Sequence, residues 1–193
     1  MSGPEPGMDP EALGQLLQEL YRRRDEELRA AFDRSLSFTD GLFDRWERAR
    51  RLGFAEGASI YNSSLVFGDV TVGERTWVGP YTLLDGSGGG LRIGAYCSIS
   101  TGAHIYTHDT IMWSLSGGRV PPVRAGVTIG DRCYVGSQSV VAAGVEIGDE
   151  CVLAANCFVN RPVPARSIVG GTPAQIIGRV EHAGGEISLV FER

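Results

Sequence analysis

Aliphatic side chains recur every six residues through much of this chain. Ile129, Val135, Val141, Ile147, Leu153 and Val159 keep strict register, and four residues after each of the first five stand Cys133, Ser139, Val145, Cys151 and Cys157. A period of six fits neither the 3.6 of a helix nor the 2.0 of a strand, so no single regular element explains it. Self-similarity of this kind is the signature of a solenoid, and a six-residue unit is that of a parallel β-helix. Each unit is then one short strand and a turn, and three units close a triangular coil. The register runs upstream through Ile60, Val66, Val72, Val78 and Leu84, with Ser64, Val70, Thr76 and Thr82 at the small sites. A three-residue excess within Asp85-Gly-Ser-Gly-Gly-Gly90 resets the phase, and Ile93, Ile99 and Ile105 resume it around Cys97 and Ala103. The span from Ile60 to Val159 therefore reads as one mainly β object.

The pattern fails once inside that span. Ile105 and Ile129 are 24 residues apart, so one hexad is followed by an excursion of about 18 residues. This loop, about residues 106–127, contains His108, Trp113, Arg119 and Arg124. A long loop thrown out of a regular scaffold is where function is expected.

Outside the repeat the pattern turns helical. Asp9-Pro10-Glu11 combines a capping acid, a first-turn proline and an early carboxylate, which predicts a helix to about Ser35. Leu13, Leu16, Leu17, Leu20, Tyr21, Leu28 and Phe32 form its apolar stripe, opposite Arg22, Arg23, Arg24, Glu26 and Glu27. A second helix is predicted from Thr39 or Asp40 to Arg51, with Leu42, Phe43, Trp46 and Ala49 on one side and Gly53 as its stop. Such helices suit a cap over the first coil, whose open strand edge invites aggregation. The chain thus divides into a helical segment (1–54), a β-helix domain (55–178) and a tail (179–193), where alternating Ile187, Leu189 and Phe191 suggest a terminal strand.

Composition changes this picture in three places. The 27 glycines find a use beside the inward aliphatics, as in Val72-Gly73, Val135-Gly136 and Ile147-Gly148, where a tight corner tolerates little side chain. A net charge of −5 and the lack of a basic stripe argue against nucleic acid as a partner. The opening Met-Ser-Gly-Pro-Glu-Pro-Gly lacks a basic start and apolar core, and no run approaches the length of a membrane span, so a cytoplasmic protein is expected. Cys97, Cys133, Cys151 and Cys157 show no zinc spacing and fall on the small inward sites, where they read as compact fillers. Cys133 and Cys151 stand 18 residues apart, one coil, so they should stack at about one strand spacing, ~4.8 Å. A disulfide fits that distance, and a reducing compartment favours free thiols.

The hexads, the loop leaving after Ile105, and Ile168-Val-Gly-Gly-Thr-Pro-Ala-Gln-Ile-Ile177 together resemble the left-handed β-helix acyltransferases of the hexapeptide-repeat superfamily. The resemblance is to the sugar (galactoside, maltose) and streptogramin O-acetyltransferases and to polysaccharide-pathway acetyltransferases. It covers about residues 55–180 and is most specific over Val127-Thr-Ile-Gly-Asp-Arg-Cys-Tyr-Val-Gly-Ser137 and Ala143-Gly-Val-Glu-Ile-Gly148. It implies a left-handed solenoid, a homotrimer with sites between subunits, acetyl-CoA as co-substrate with no metal, and a small-molecule acceptor. The handedness rests on the resemblance alone, since crossovers between parallel strands are normally right-handed.

Moving an acetyl group from a thioester to a hydroxyl needs a base, and imidazole suits it, with an unperturbed pKa near ~6.5. The chain has three histidines. His108 stands at the foot of the loop, where the resemblance puts the base; His104 at the preceding corner is the alternative, and His182 falls in the tail. Asp109 is a candidate to orient the ring. A backbone N–H near Gly136 or Ser137 is the simplest oxyanion donor. The resemblance carries coenzyme A contacts onto Ser137, Ala155, Asn160 and Arg161, with Arg179 near the family's terminal basic position. It carries an acceptor-binding carboxylate onto Asp85, which also reads as a turn aspartate before glycine. Trp113 is a candidate to stack on a sugar face or to anchor the loop.

Three other readings share the fold: N-acetyl transfer to an amino sugar, a γ-type carbonic anhydrase, and a non-catalytic scaffold. The anhydrases bind zinc through three histidines, whereas only His104 and His108 lie in the coils here. A scaffold gives no reason for an irregular loop that carries a base. The sequence favours O-acetyl transfer to a sugar or sugar-like hydroxyl, with an antibiotic hydroxyl as a further acceptor class.

Overall fold

A computed structural model describes residues 9–192; residues 1–8, which include the stretch read as lacking a leader, and residue 193 lie outside it. The chain forms two compact units, one ending at Asp44 and one beginning at Arg45.

In the first unit, helix α1 spans Pro10–Phe32 and helix α2 spans Phe38–Leu42. Asp9 caps α1 by accepting a hydrogen bond from the Ala12 N–H at 3.4 Å, and Pro10 occupies a first-turn position that needs no donor. Asp33 ends the helix in a left-handed conformation, φ 52°. Tyr21 ties the unit together: its hydroxyl donates to the Leu36 carbonyl at 2.8 Å and its ring centroid lies 5.7 Å from that of Phe38. The second helix expected to reach Arg51 is instead two. Gly41 is a poor helix former, and two residues later Phe43 is extended (φ −108°, ψ 137°), which ends α2. Helix α3, Arg45–Arg51, belongs to the second unit.

The second unit is the solenoid, mainly β and wound left-handed as its structural relatives are. Its first face stacks Ser59–Ile60, Trp77–Val78, Ser98–Ile99, Tyr134–Val135, Val152–Leu153 and Ser167–Gly170, all in parallel. A second face runs through the starts of Leu65–Val72 and Leu83–Ile93, then His104–Ile105, Val140–Val141 and Phe158–Val159. A third runs through the ends of those two long strands, then Val127–Ile129 and Glu146–Ile147. Tyr134 pairs with Val152, Val140 with Phe158 and Thr128 with Glu146, each 18 residues on, so three hexads make one coil. Two offsets differ. Leu83 pairs with His104, 21 residues on, and Ser98 with Tyr134, 36 residues on. The first absorbs the Asp85–Gly90 excess and the second the long loop.

The in-register aliphatics fill the solenoid. Ile60, Leu84, Ile99, Ile105, Ile129, Val135, Val141 and Leu153 are buried to 1% exposure or less. The four cysteines are buried and free. Their thiols donate to carbonyls of the next coil, as Cys133 Sγ does to Gly148 O at 3.1 Å. The corner glycines answer to close approach rather than to torsion: a Cβ on Gly136 would stand 2.5 Å from Ala155 N. The left-handed corner residue two positions on is Gln138, with φ 59°.

Helix α3 covers the first coil. Ala49 and Phe54 join the core with Ile60, and the Arg48 guanidinium donates to the carbonyls of Tyr61 and Ser64, the latter at 2.7 Å. At the other end, Gln175–Ala183 and Glu186–Phe191 extend the first face as an antiparallel hairpin, where the sequence pattern suggested one strand. Among the described residues no helix is long and apolar enough to cross a membrane.

Candidate active site

Both irregularities of the repeat fall on the corner between the second and third faces. In the second coil this corner is the glycine-rich run after Asp85; in the third, directly stacked on it, the chain departs as the long loop. The neck of the loop is a short antiparallel ladder of His108–Asp109 with Val123–Arg124, in which His108 faces Arg124 and Asp109 faces Val123. Below it, the Ala125 N–H donates to Thr107 O at 2.9 Å. Beyond it lies helix α4, Ile111–Leu115, whose first N–H is held by Asp109 Oδ1 at 3.1 Å.

The glycine run lets the corner seat under the histidine. The Gly88 N–H donates to Thr107 Oγ1 at 2.8 Å, and a Cβ at Gly88 would lie 2.1 Å from Thr107 O and 2.8 Å from His108 Cβ. Only glycine permits that approach. The turn also delivers Asp85, 1% exposed, whose Oδ1 accepts from the Ser87 N–H at 2.9 Å and the Ser87 hydroxyl at 2.6 Å. Its Oδ2 lies 2.7 Å from His108 Nδ1, and Ser87 Oγ lies 3.5 Å from the same nitrogen. The Oδ2 contact is one of charge and distance, because the ring N–H is not aimed along it and Oδ2 has no well-aligned donor.

Burial alone would raise the Asp85 carboxyl. The Ser87 hydroxyl, the Ser87 N–H and the positive charge of a protonated His108 outweigh it, so the carboxyl sits below the ordinary aspartate value. Asp85 is therefore ionised at neutral pH. A carboxylate against Nδ1 keeps the proton on that nitrogen and leaves Nε2 as the ring's free base. The His108 side chain is 37% exposed, so its ring is open to a reacting partner.

The carboxylate beside His108 is thus Asp85, the residue read as an acceptor contact, and not Asp109. Asp85 is too buried in this chain to meet an acceptor, and Asp109 is spent on capping α4. Ser87 escaped the sequence reading, although the phase break at Asp85–Gly90 marked its position. His104 projects outward from the second face, its Nδ1 3.4 Å from the Tyr106 hydroxyl and its ring edge-on to that of Tyr106. Trp113 is half exposed on α4, with its indole over Gly118.

The residues read as coenzyme A contacts do not share one cleft within the chain. Gly136, Ser137 and Ala155 lie on the corner between first and second faces, where the Gly136 N–H is committed to Leu153 O at 2.8 Å. That leaves Ser137 of the two residues named as oxyanion donors. Asn160 and Arg161 lie on the His108 corner two coils further along, lining a cleft of about 160 Å³ with Pro162, Ala174 and Gln175. At one strand spacing per coil, this cleft is ~10 Å along the corner from His108. Arg179, on the terminal hairpin, is paired with Glu181 at 2.6 Å. Among the described residues no three His, Cys, Asp or Glu side chains converge as a metal site.

Residues 126–161 match the family model described as the hexapeptide repeat of succinyl-transferase. The serine acetyltransferase of Mycobacterium tuberculosis (strain ATCC 25618 / H37Rv) is 30% identical over 145 residues, covering 72% of this chain and 58% of that protein. The carnitine operon protein CaiE of Escherichia coli O157:H7 is 34% identical over 128 residues, 64% of this chain and 65% of that protein. The chain therefore spans about three fifths of the length of these relatives. A hexapeptide-repeat containing acetyltransferase of Vibrio cholerae superposes with a TM-score of 0.64 at 25% identity, covering 86% of this chain and 91% of the other. The same protein from the O1 biovar eltor, solved with acetyl coenzyme A, superposes at 0.65 and 24% identity over 93% of this chain and 94% of the other. The stacked hexads, the coil-for-coil register and these likenesses agree: the chain belongs to the hexapeptide-repeat superfamily of left-handed parallel β-helix proteins.

Proposed function

We propose that the chain is an acetyl-CoA-dependent acetyltransferase that acetylates a hydroxyl of a sugar or sugar-like small molecule. One observation carries the reading: an accessible imidazole at the foot of the only long loop in the solenoid, backed at 2.7 Å by a buried, ionised carboxylate. His108 Nε2 takes the proton of the acceptor hydroxyl as its oxygen attacks the thioester carbonyl. Asp85, held by Ser87, stabilises the imidazolium that forms and stays ionised throughout. When the tetrahedral adduct collapses, the C–S bond breaks and the departing thiolate takes the proton back from Nε2. His108 is thus the base, then the acid, and ends in its starting state. A backbone N–H at Ser137 is the oxyanion donor in this scheme.

The Asn160–Arg161 cleft suits the coenzyme, because Arg161 offers a guanidinium with no carboxylate partner among the described residues. It lies along the same corner as the base, so an extended thioester can run from one to the other. Gly136, Ser137 and Ala155 border the opposite edge of the second face. Contacts to both edges call for a neighbouring copy, and a homotrimer with its sites between subunits belongs to the same proposal.

Release of free thiol from acetyl-CoA, measured against sugars, nucleotide-sugars, antibiotics and hydroxy amino acids, tests the reading. Turnover with a hydroxyl acceptor supports it. Turnover confined to amino sugars replaces it with N-transfer, and no turnover with any of them refutes it.

A further inference from the structure

We propose that Arg124 forms an anion-binding subsite beside His108, so that the acceptor is a hydroxyl compound carrying a carboxylate or phosphate close to its reacting hydroxyl. The inference rests on the acetyl-transfer reading and narrows its substrate class. Its ground is the ladder at the neck of the loop, where His108 stands directly opposite Arg124. Residues directly opposite in an antiparallel pair leave the same face of the ladder, with Cβ atoms ~4.5–5.5 Å apart. The guanidinium and the imidazole are therefore neighbours by construction, and Asp109 and Val123 leave the other face. The position is fixed as well, since the adjacent Ala125 N–H is bonded to Thr107 O at 2.9 Å.

The charges around it are already matched. Asp69, on this corner one coil below Asp85, is paired with Arg92; Asp85 is buried and engaged by Ser87 and His108; Asp109 caps α4. Elsewhere in the solenoid, Arg132 and Arg166 share Glu150 and Arg179 holds Glu181. Arg124 is exposed and its side chain makes no ion pair or hydrogen bond among the described residues. A chain of net charge −5 thus leaves an unmatched guanidinium next to the candidate base. Guanidinium binds carboxylate and phosphate through two parallel N–H donors, which fixes orientation as well as charge. An acceptor gripped there presents its neighbouring hydroxyl to Nε2.

The coenzyme is a poor source for this anion. Its pantetheine arm separates the thioester, which must reach His108, from its nearest phosphate, and Arg161 stands further along the corner for that phosphate.

Paired acceptors decide the matter: a neutral hexose against its uronic acid and its phosphate ester, and serine against serine amide, each assayed by thiol release with wild-type protein, Arg124→Gln and Arg124→Lys. We expect kcat/KM for at least one anionic member to exceed its neutral partner's tenfold or more. Arg124→Gln should abolish that preference mainly through the acceptor KM, leaving the KM for acetyl-CoA unchanged, and Arg124→Lys should restore part of it. Equal or better use of every neutral member overturns the subsite, as does a Gln variant that slows both members of each pair alike. A raised KM for acetyl-CoA in the Gln variant assigns Arg124 to the coenzyme instead. Absence of thiol release with every acceptor refutes acetyl transfer itself, an outcome distinct from turnover without an anionic preference.

Discussion

At the residue scale, the Asp85–His108 pair separates two effects that mutation can resolve. His108→Ala removes the base, and a loss of about 10²–10⁴-fold in kcat is expected with the fold intact, because general-base catalysis contributes on that order. His104→Ala should cost far less; equal losses would make the two histidines joint members of the site. Asp85→Asn keeps the shape of the turn but offers Nδ1 no negative charge, so kcat should fall while KM for acetyl-CoA holds. The pH dependence of stability has a definite sign. The folded Asp85 carboxyl lies below its ordinary value, so the unfolded chain binds more protons there. Its contribution is complete above about pH 4, the unfolded aspartate value, and is lost as pH falls through the folded value. Urea midpoints measured from pH 6 down to pH 2.5 should therefore decline more steeply in wild-type protein than in Asp85→Asn. Parallel declines would show that the carboxylate gains nothing from its surroundings.

At the scale of elements, the glycine-rich corner and the loop neck are one device, and a single methyl group should uncouple them. Gly88→Ala would put a Cβ 2.1 Å from the Thr107 carbonyl oxygen, which must move the strand that carries His108. Activity should drop at least tenfold while far-ultraviolet circular dichroism stays that of the β-helix. Gly14→Ala is the control, since nothing lies within 4 Å of its Cβ position on α1, and removing a helical glycine should stabilise that helix by up to ~1 kcal/mol. This device also shows what the sequence could and could not say. The coils were legible because every inward position repeats at a fixed interval, so Leu84 or Ile105 announces its burial without reference to anything distant. Asp85 and His108 are 23 residues apart, and their meeting depends on a coil lengthened by three residues before the loop begins. Periodicity located both irregularities, but only the stacking register puts one on top of the other. The split between α2 and α3 was hidden for a local reason: the apolar spacing across residues 39–51 is helical throughout, and only the extended backbone at Phe43 interrupts it.

At the scale of the whole solenoid, the three faces differ in what they turn outward. The third face presents Thr71, Arg92, Thr128 and Glu146, all exposed and polar. The second presents Leu65, Leu83, His104, Val140 and Phe158, an apolar column broken only by a histidine. Sheet residues alternate between core and solvent, so an apolar outward column on one face alone marks a surface that prefers not to meet water. Inward packing does not account for it, because the inward partners Val66, Leu84, Ile105, Val141 and Val159 fill the core independently. The column also lies between the two corners that carry the candidate coenzyme contacts, so a copy docked on it would close a cleft along each edge. If the trimer forms through this face, a charge placed on it is costly to bury without a partner. Val140→Glu should then shift sedimentation from trimer to monomer and abolish thiol release, while thermal unfolding of the single chain remains cooperative. Thr128→Glu, on the polar face, should leave both mass and rate unchanged. A Val140→Glu protein that stays trimeric and active would move the subunit contact to another face, and the coenzyme cleft with it.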